Sequence, residues 1–353
     1  MMEWTTRSLG KICDDVGGII KTGPFGSQLH QSDYSEVGTP VVMPKDLIGG
    51  RISEGGIARV GDSHVQRLSH HKLKPGDIVY GRRGDIGRCA LITQKEAGWL
   101  CGTGCLRVSL GSSPVDPQFL YYFLYQPAMI AWITNQAIGA TMPNLNTNIL
   151  RSVPITYPDL PSQRRIAAIL SAYDDLIENN TRRIAILEDM ARMIYQEWFV
   201  RFRFPGHEQV RMVESELGQI PEGWEVGKLG AFIELAYGKA LKADGRIAGP
   251  FPVYGSSGVV GYHNEGLVTG PGIIVGRKGN VGSVHWSDDP FWPIDTVYFV
   301  RTDTSLRYVF FNLQGQNFIN NDAAVPGLNR NQAYSLPFVL KFPRSCGHLE
   351  RVG

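Results

Sequence analysis

A segment rich in glycine and arginine occurs twice in the chain, and this repetition constrains the fold more than any other feature. DIVYGRRGDIG begins at residue 77, and GIIVGRKGNVG begins at residue 272. The residues that recur at a constant offset of 195 are Gly81, Arg82, Gly84 and Gly87, which match Gly276, Arg277, Gly279 and Gly282. A period of this length is too long for a solenoid and indicates a duplicated domain.

A second pair of similar segments extends the duplication. AIGATMPNLNTNILRSVPITYP begins at residue 137, and NNDAAVPGLNRNQAYSLPFVLKFP begins at residue 320, with matching residues at an offset of 183. A helix-like stretch precedes each of them, and the shorter offset indicates that the second copy lost about a dozen residues in its middle. Short β-branched runs such as GDIVYG and GIIVGR, bounded by Gly, Pro, Asn and Asp, predict strands and tight turns.

Between the two copies lies a stretch without Gly or Pro, from Ser162 to Phe204. Its apolar positions follow alternating steps of four and three, which predicts a long helix with a coiled-coil seam. Pro161 suits the first helical turn, and Pro205-Gly206 predicts its end. The predicted seam consists of Ile166, Leu170, Tyr173, Ile177, Asn180, Ile184, Leu187, Ala191, Ile194 and Trp198.

The predicted fold class is therefore α+β, with two strand-rich mixed domains joined by a long coiled-coil helix. The predicted segments are a first domain over residues 1–158, the helix over 159–204, a second domain over 205–343 and a short tail over 344–353. By the logic of the repeat, a second helix is expected after Pro343, whereas the sequence ends in SCGHLERVG. An unpaired apolar seam predicts self-association, because it would otherwise face water.

Composition excludes several classes of protein. With 353 residues, 43% of them hydrophobic, the chain is long enough for two or three globular domains. No apolar run approaches the roughly 20 residues of a membrane span, and the N-terminus lacks a secretory pattern, so we expect a cytoplasmic protein. Five cysteines do not predict a disulfide framework in a chain of this length. A net charge of +2 means that any DNA-binding surface must concentrate its cations locally.

The repeated glycine motif matches no nucleotide-binding fingerprint. It lacks the GxxxxGK[ST] spacing of a phosphate loop and the GxGxxG spacing of a dinucleotide site. One interpretation is a glycine-rich β-turn whose arginines are only solvated. The other is a turn that brings two adjacent cations against a polyanion, since Arg forms bidentate contacts with phosphates.

Catalytic and metal-binding patterns are weak. Cys101 and Cys105 lack a second pair of ligands at the spacing of a zinc site, and we predict buried thiols rather than a metal centre. SDDPFW at residues 287–292 is only faintly similar to the tetrapeptide of amino-methyltransferases, and no glycine loop for its cofactor precedes it. We therefore predict no catalytic residues, no metal and no cofactor bound by this chain.

Together these features resemble the specificity (S) subunit of Type I restriction–modification systems. The resemblance covers residues 3 to about 343. It is carried by TGPFGSQL and YSEVGTPVVMPKDL in the first copy, by FPVYGSSGVVGYHNE, GIIVGRKGNVGSV and FWPIDTVYFV in the second, and by the LPSQRRIAAILSAYDDLIENN helix. The sequence departs from the family pattern where the distal spacer helix is expected.

The resemblance implies a DNA-binding subunit that is not itself an enzyme. Each target-recognition domain would read one half of a split DNA sequence, and two antiparallel helices would set the gap between the half-sites. Two methyltransferase (modification) subunits would dock on it and methylate adenine with S-adenosylmethionine. Restriction (translocase/nuclease) subunits would cleave DNA with ATP and Mg²⁺. The expected role is thus host defence by restriction–modification.

The candidate DNA contacts are polar residues on glycine-rich turns. Arg82, Arg83, Arg277 and Lys278 are predicted to contact mainly phosphates, which position a protein without reading sequence. Base contacts are predicted where the copies differ. The base-reading candidates are Ser27, Gln28, Lys45, Asn144 and Asn146 in the first copy, and Lys239, Ser256, Ser257, Asn329 and Arg330 in the second. Asn146 and Asn329 recur in both copies, which favours a shared loop shape over base reading.

Two other functions remain open at this point. The chain could be the recognition half of a fused DNA methyltransferase, for which co-purified S-adenosylmethionine would be evidence. It could also be a scaffold of two adhesive domains on a coiled-coil strut that binds no DNA. Steep weakening of duplex binding by salt would separate DNA recognition from the scaffold.

Overall fold

The structure is a computed structural model that describes residues 4–84, 86–136, 144–318 and 327–341. The chain divides into two compact units, with the boundary between Thr181 and Arg182. The strands of the first unit are β1 (Thr5–Ser8), β2 (Ile19–Thr22), β3 (Tyr34–Ser35), β4 (Thr39–Val42), β5 (Leu47–Ile48), β6 (Arg51–Ile52), β7 (Ala58–Val60), β8 (Ile78–Gly81), β9 (Cys89–Leu91), β10 (Leu100–Cys101), β11 (Cys105–Ser109) and β12 (Pro154–Tyr157). Its α-helices are α1 (Leu9–Asp14), α2 (Asp62–Arg67), α3 (Pro117–Leu124), α4 (Pro127–Gln136) and α5 (Thr147–Ser152), followed by α6 (Leu160–Tyr195), which continues into the second unit.

The second unit has the same kinds of elements in a similar order. Its strands are β13 (Met212–Ser215), β14 (Gly218–Pro221), β15 (Trp224–Lys228), β16 (Glu234–Tyr237), β17 (Phe251–Gly255), β18 (Gly258–His263), β19 (Gly272–Gly276), β20 (Val284–Ser287), β21 (Trp292–Pro293), β22 (Val297–Arg301) and β23 (Pro337–Lys341). Its further α-helices are α7 (Leu306–Gly315) and α8 (Arg330–Ser335). Helices α3 and α4 occupy the place that α7 alone occupies among the described residues of the second unit, which agrees with the predicted loss of about a dozen residues.

The main sheets confirm the duplication. An antiparallel sheet of order β2-β11-β8-β9 in the first unit has the counterpart β16-β22-β19-β20 in the second. A parallel pair, β4 with β10 and β17 with β21, recurs in a second sheet of each unit. In each unit the strand before the main sheet pairs antiparallel with the strand that follows the last short helix, β1 with β12 and β15 with β23. The repeated sequence segments therefore fold as two copies of one topology.

The β-branched runs before the glycine motifs form the central strands of these sheets. Every residue of β8 and every residue of β19 is buried, which explains why their apolar runs do not alternate with polar residues. In the first unit the core packs this sheet against α1, α3 and α5. In the second unit α7 and α8 cover the equivalent sheet.

The long helix α6 has 36 residues, and therefore a length of about 54 Å. Asp159 caps its start by accepting hydrogen bonds from the backbone N–H and the hydroxyl of Ser162, each at 3.0 Å. The α-helical pattern ends at Tyr195, earlier than Pro205-Gly206 predicts, and continues as a π-helical turn over Gln196–Val200. Phe202 then adopts a positive φ of 57°, which an α-helix does not accommodate.

Each end of α6 is attached to its own unit by different chemistry. In the first unit Gln163 is fully buried, and its amide donates to the carbonyl oxygens of Pro114 and Pro158 at 3.0 and 2.8 Å. Further along, the Tyr122 hydroxyl donates to Asp174 at 2.8 Å. In the second unit the attachment is an aromatic cluster that consists of Tyr195, Phe199, Phe202, Phe204, Trp224, Tyr308 and Phe311.

Some predictions concern residues outside this description. The predicted tail, residues 344–353, lies there, as do residues 137–143 and 320–326 of the second pair of similar segments. The bounds of the four predicted segments stay predictions. Within the described ranges, no helix combines the length and the apolar character that crossing a membrane requires.

Candidate nucleic-acid interface

In the first unit the two repeated segments form one site. The backbone N–H of Leu145 donates to the carbonyl of Arg82 at 2.9 Å, and Arg83 forms an isolated β-bridge with Asn144. The Nε–H of Arg82 also donates to Oδ1 of Asn144 at 3.0 Å. Two motifs more than 60 residues apart in the sequence are thus adjacent in the fold.

The second unit repeats this contact on different side chains. The backbone N–H of Leu328 donates to the carbonyl of Arg277 at 2.7 Å, and Lys278 forms the isolated bridge with Gly327. Because this backbone bond recurs, the residues at offsets of 195 and 183 are structurally as well as sequentially equivalent.

The spacing of the glycine motif follows from the turn that it forms. Gly84 and Gly279 have φ values of +79° and +77°, and the last glycines of the two motifs, Gly87 and Gly282, have φ values of +106° and +76°. Residues with a Cβ rarely adopt this left-handed backbone, so the glycines permit the sharp turn that presents the adjacent cations.

Asn146 and Asn329 cap the short helices that follow the contact. Asn146 accepts a hydrogen bond from the backbone N–H of Ile149 at 2.9 Å. Asn329 accepts from the N–H groups of Asn331 and Gln332 at 3.0 and 3.2 Å. Their side-chain oxygens hold the loop shape in both units, and their predicted contact with DNA remains a prediction.

A cleft of about 400 Å³ lies beside the arginine turn of the first unit. Arg82 and Arg83 are its charged lining residues, and no carboxylate among the described residues lines it. Arg83 is exposed, whereas Arg82 is half-buried. The full lining is Thr22, Gly23, Pro24, Phe25, Gly26, Pro44, Arg82, Arg83, Thr103, Gly104 and Cys105. This concentration of positive charge is the kind of surface that a chain of nearly balanced net charge requires to bind a polyanion.

The other predicted residues of the first unit lie next to this lining. Ser27 is exposed and directly follows the lining residue Gly26. Gln28 closes the same loop, because its Oε1 accepts from the backbone N–H of Phe25 at 3.1 Å. Lys45 follows the lining residue Pro44, and its ammonium group donates to the carbonyl of Gly56 at 3.2 Å.

In the second unit the arginines lie against aromatic rings. The guanidinium carbon of Arg277 lies 5.0 Å from the ring centroid of Tyr237 and 5.8 Å from that of Tyr298. The guanidinium carbon of Arg330 lies 5.3 Å from Tyr237 and 5.9 Å from Tyr334. The two predicted arginines, from separate segments of the sequence, therefore share one tyrosine.

The remaining predicted residues of the second unit have mixed positions. Ser256 stabilises the turn, since its Oγ accepts from the backbone N–H of Asn280 at 3.3 Å and its carbonyl accepts from the Ser283 hydroxyl at 2.6 Å. Ser257 is exposed. Lys239 is exposed, with its ammonium nitrogen 5.8 Å from the ring centroid of Trp292.

Sequence reasoning missed Tyr237 because it considered only polar residues on turns. Tyr237 is 53% exposed and ends strand β16 immediately before Gly238. An aromatic residue at a strand end beside a glycine loop was a usable signal, since exposed aromatic rings commonly mark binding surfaces. Phe25 of the first unit is also exposed and lines the cleft there.

The predicted thiols are buried. Burial raises the pKa of Cys101 to about 12 and raises that of Cys105 well above its ordinary value. Both side chains are therefore neutral thiols at neutral pH. No group of three or more His, Cys, Asp or Glu side chains suited to a metal occurs among the residues that the structure describes.

The predicted seam of α6 is largely exposed. Tyr173 and Ile177 are each 63% exposed in the first unit, and Leu187 is 60% exposed in the second. Leu170, Asn180, Ile184, Ile194 and Trp198 are exposed as well, while Ile166 and Ala191 are half-buried. An exposed stripe that is apolar apart from Asn180 indicates an interaction surface.

Comparison with known proteins agrees with these features. The chain is 28% identical to the Type I restriction enzyme MjaIX specificity subunit of Methanocaldococcus jannaschii over 240 residues, which are 67% of this chain and 53% of that protein. It is 23% identical to the HindI specificity subunit of Haemophilus influenzae over 206 residues, which are 57% of this chain and 42% of that protein. The chain thus spans about half the length of the curated relatives that it matches.

The fold is shared with a solved structure. The crystal structure of a Type I restriction–modification S subunit from M. genitalium aligns over 96% of this chain and 85% of its own, with a TM-score of 0.55 and 18% identity. Residues 1–189, more than half of the sequence, match the family described as Type I restriction modification DNA specificity domain. The chain belongs to this family.

Proposed function

We propose that the chain recognises a bipartite DNA sequence on behalf of a Type I restriction–modification complex. The observation that carries this proposal is the duplicated site, in which a glycine turn presents cations beside a capped helix in both units. Two copies of one backbone arrangement suit two half-sites. The side chains that differ between the copies would let each unit recognise a different half-site sequence.

In this proposal, phosphate contacts and base contacts come from different side chains. Arg83 and Lys278 are exposed and follow the shared arginine of each turn. They would contact phosphates, because phosphate contacts fix the register of a protein on DNA without selecting a sequence. Sequence would be read by side chains that the copies do not share.

The partners and cofactors of the assembly are part of the proposal. DNA methyltransferase subunits would use S-adenosylmethionine to methylate adenine at the recognised site. Restriction subunits would use ATP and Mg²⁺ for translocation and cleavage. The chain itself would supply recognition, without a catalytic residue or a cofactor of its own.

Helix α6 would act as the spacer between the two half-sites. From Ser162 to its end at Tyr195, α6 contains no Gly or Pro, the residues that most destabilise a helix interior. Its exposed seam would be covered by a second amphipathic helix, and for the isolated chain we propose a second copy. Multi-angle light scattering should then show a dimer, and a monomer at micromolar concentration would contradict this part of the proposal.

The central experiment is to co-express the chain with its modification subunit and to map methyladenine in the host DNA. We expect methylation within a split motif that has two defined parts and an unread gap. A palindromic motif would instead indicate two copies of one unit on the DNA. An absence of methylation, with both proteins present and folded, would contradict the proposed function.

A salt titration tests the phosphate contacts separately. Arg83→Gln and Lys278→Gln should each weaken binding a few-fold on every duplex, and each should reduce the slope of log K against log salt by about 1. Arg7→Gln and Lys228→Gln remove exposed cations outside the two sites and serve as controls. Loss of preference for particular bases, rather than uniform weakening, would show that the assignment to phosphates is wrong.

A further inference from the structure

Arg330 is held in the second unit by two tyrosine rings rather than by hydrogen bonds. Its guanidinium carbon lies 5.3 Å from the centroid of Tyr237 and 5.9 Å from that of Tyr334. Arg330 is half-buried, and no described residue forms a hydrogen bond or an ion pair with its side chain, so the described part of the chain leaves its N–H donors available. A cation–π contact uses the face of the guanidinium group and leaves the donors in its plane free.

The aromatic residues around Arg330 are themselves fixed by a hydrogen bond and by strand pairing. The Tyr334 hydroxyl accepts a hydrogen bond from the backbone N–H of Leu235 at 2.8 Å. Tyr237 lies on β16 directly opposite Tyr298 of β22, with ring centroids 5.1 Å apart. Burial, followed by the neighbouring Tyr237 hydroxyl, raises the pKa of Tyr298, so this supporting ring stays neutral. A guanidinium group on such a support loses less entropy when it binds.

The first unit lacks this arrangement at the equivalent positions. Tyr237 lies opposite Tyr298 of the adjacent strand, and Thr22 of the first unit lies opposite Leu106. Tyr298 and Leu106 are equivalent residues of the two sheets, so Tyr237 corresponds to Thr22. Arg330 directly follows the capping asparagine of α8, and Thr147 holds that place in α5. The tyrosine and the arginine are thus specific to the second unit, whereas Arg277 has the counterpart Arg82.

We propose that Arg330 reads a guanine in the half-site of the second unit and that Tyr237 is its positioning residue. This inference rests on the proposed function. The planar fork of an arginine matches O6 and N7 of guanine in the major groove, and this pairing is the commonest specific contact of proteins with DNA. A residue that differs between the units suits base reading, whereas the arginine common to both suits the shared phosphate backbone.

The test uses the full chain with its modification subunit and a duplex library randomised around the wild-type motif. Arg330→Lys keeps the charge and removes the fork. We expect the preference for one guanine to fall by at least about tenfold, while affinity for unrelated duplex changes by less than about threefold. Arg301→Lys makes the same chemical change at the other end of β22, where Arg301 lies over Phe299, and serves as the control.

Two variants test the positioning role. Tyr237→Thr installs the residue of the first unit and should relax preference at the same base pair as Arg330→Lys. Tyr237→Phe keeps the ring and should retain that preference within about threefold. A merely structural tyrosine would lower affinity without altering the selected base, so the identity of the relaxed base distinguishes the two roles.

The outcomes separate this inference from the function on which it rests. If the wild-type complex selects no motif, the proposed function fails. If it selects a motif that Arg330→Lys retains, with or without a uniform loss of affinity, the assignment of guanine reading to Arg330 is wrong and the function stands. Relaxation at different bases in Tyr237→Thr and Arg330→Lys would refute the positioning role alone.

Discussion

In the first unit Arg82 donates to an amide oxygen of Asn144, whereas in the second unit Arg277 lies over the ring of Tyr237. The backbone around the two arginines is the same, since each carbonyl accepts from the leucine that precedes the capping asparagine. Duplication has therefore preserved the frame and changed the side chains that surround it. The proposed reading of two different half-sites would require such a division between a shared backbone and variable side chains.

Alanine substitution of one glycine at an equivalent position in each unit should destabilise both units to a similar extent. This is the largest effect on stability that we predict. A Cβ at Gly23 would overlap the carbonyl oxygen of Gly102, and a Cβ at Gly238 would overlap that of Ile294. Because the obstacle is backbone, Gly23→Ala and Gly238→Ala should each lower the free energy of unfolding of their unit by about 3 kcal/mol. Hydrogen exchange measured by mass spectrometry on the full chain resolves the two units.

Matched glycines provide the control for this prediction. A Cβ added at Gly26 or Gly245 would meet no atom within 4 Å, so alanine there should change stability by less than about 0.5 kcal/mol. If Gly23→Ala destabilised its unit while Gly238→Ala did not, the two loops would not be equivalent.

A change of pH should affect the stability of the first unit, by an amount between the other two effects. His71 of the first unit is buried, and burial, followed by the nearby His70, lowers its pKa to about 4. Since an unfolded histidine titrates near 6.5, the unfolded state binds more protons between these values, and stability falls as the pH falls through this window. Between pH 7.5 and pH 5 the first unit should lose up to about 2 kcal/mol.

Urea unfolding at the two pH values, followed by hydrogen exchange in each unit, checks this expectation. His71→Gln should remove most of the dependence, whereas His70→Gln, a change at the exposed neighbour, should retain it. An equal loss of stability at pH 5 in wild type and His71→Gln would show that other groups cause it.

Removal of the helix caps should have the smallest effect, again in both units. Asn146→Ala and Asn329→Ala leave backbone N–H groups without their acceptor and should each cost about 1 kcal/mol. Aspartate at either position should retain the cap. Asn148→Ala and Asn331→Ala, at exposed positions in the same helices, are the controls for thermal unfolding. Equal effects of the cap and control variants would contradict the capping role.

Much of the fold was predictable because its signals are local. The absence of Gly and Pro from Ser162 to Phe204 predicted α6, and the apolar runs before the glycine motifs predicted β8 and β19. Pro205-Gly206 predicted where the helix stops, whereas the α-helical pattern changes to a π-helical turn after Tyr195, where that ring packs on Tyr308 and Phe311. Contacts with residues far away in the sequence cannot be predicted from the helix propensities of neighbouring residues.

The sequence by itself determined the duplication, the strand-rich class of both copies, the long helix and the two cationic turns. Those features depend on the conformational preferences of neighbouring residues and on the recurrence of similar segments along the chain. Only the tertiary structure decided that the arginine turn meets the leucine–asparagine segment, and that Arg277 and Arg330 share the ring of Tyr237. These pairings join residues about 40 to 90 positions apart, and the pairing of strands, rather than any local motif, brings them into contact.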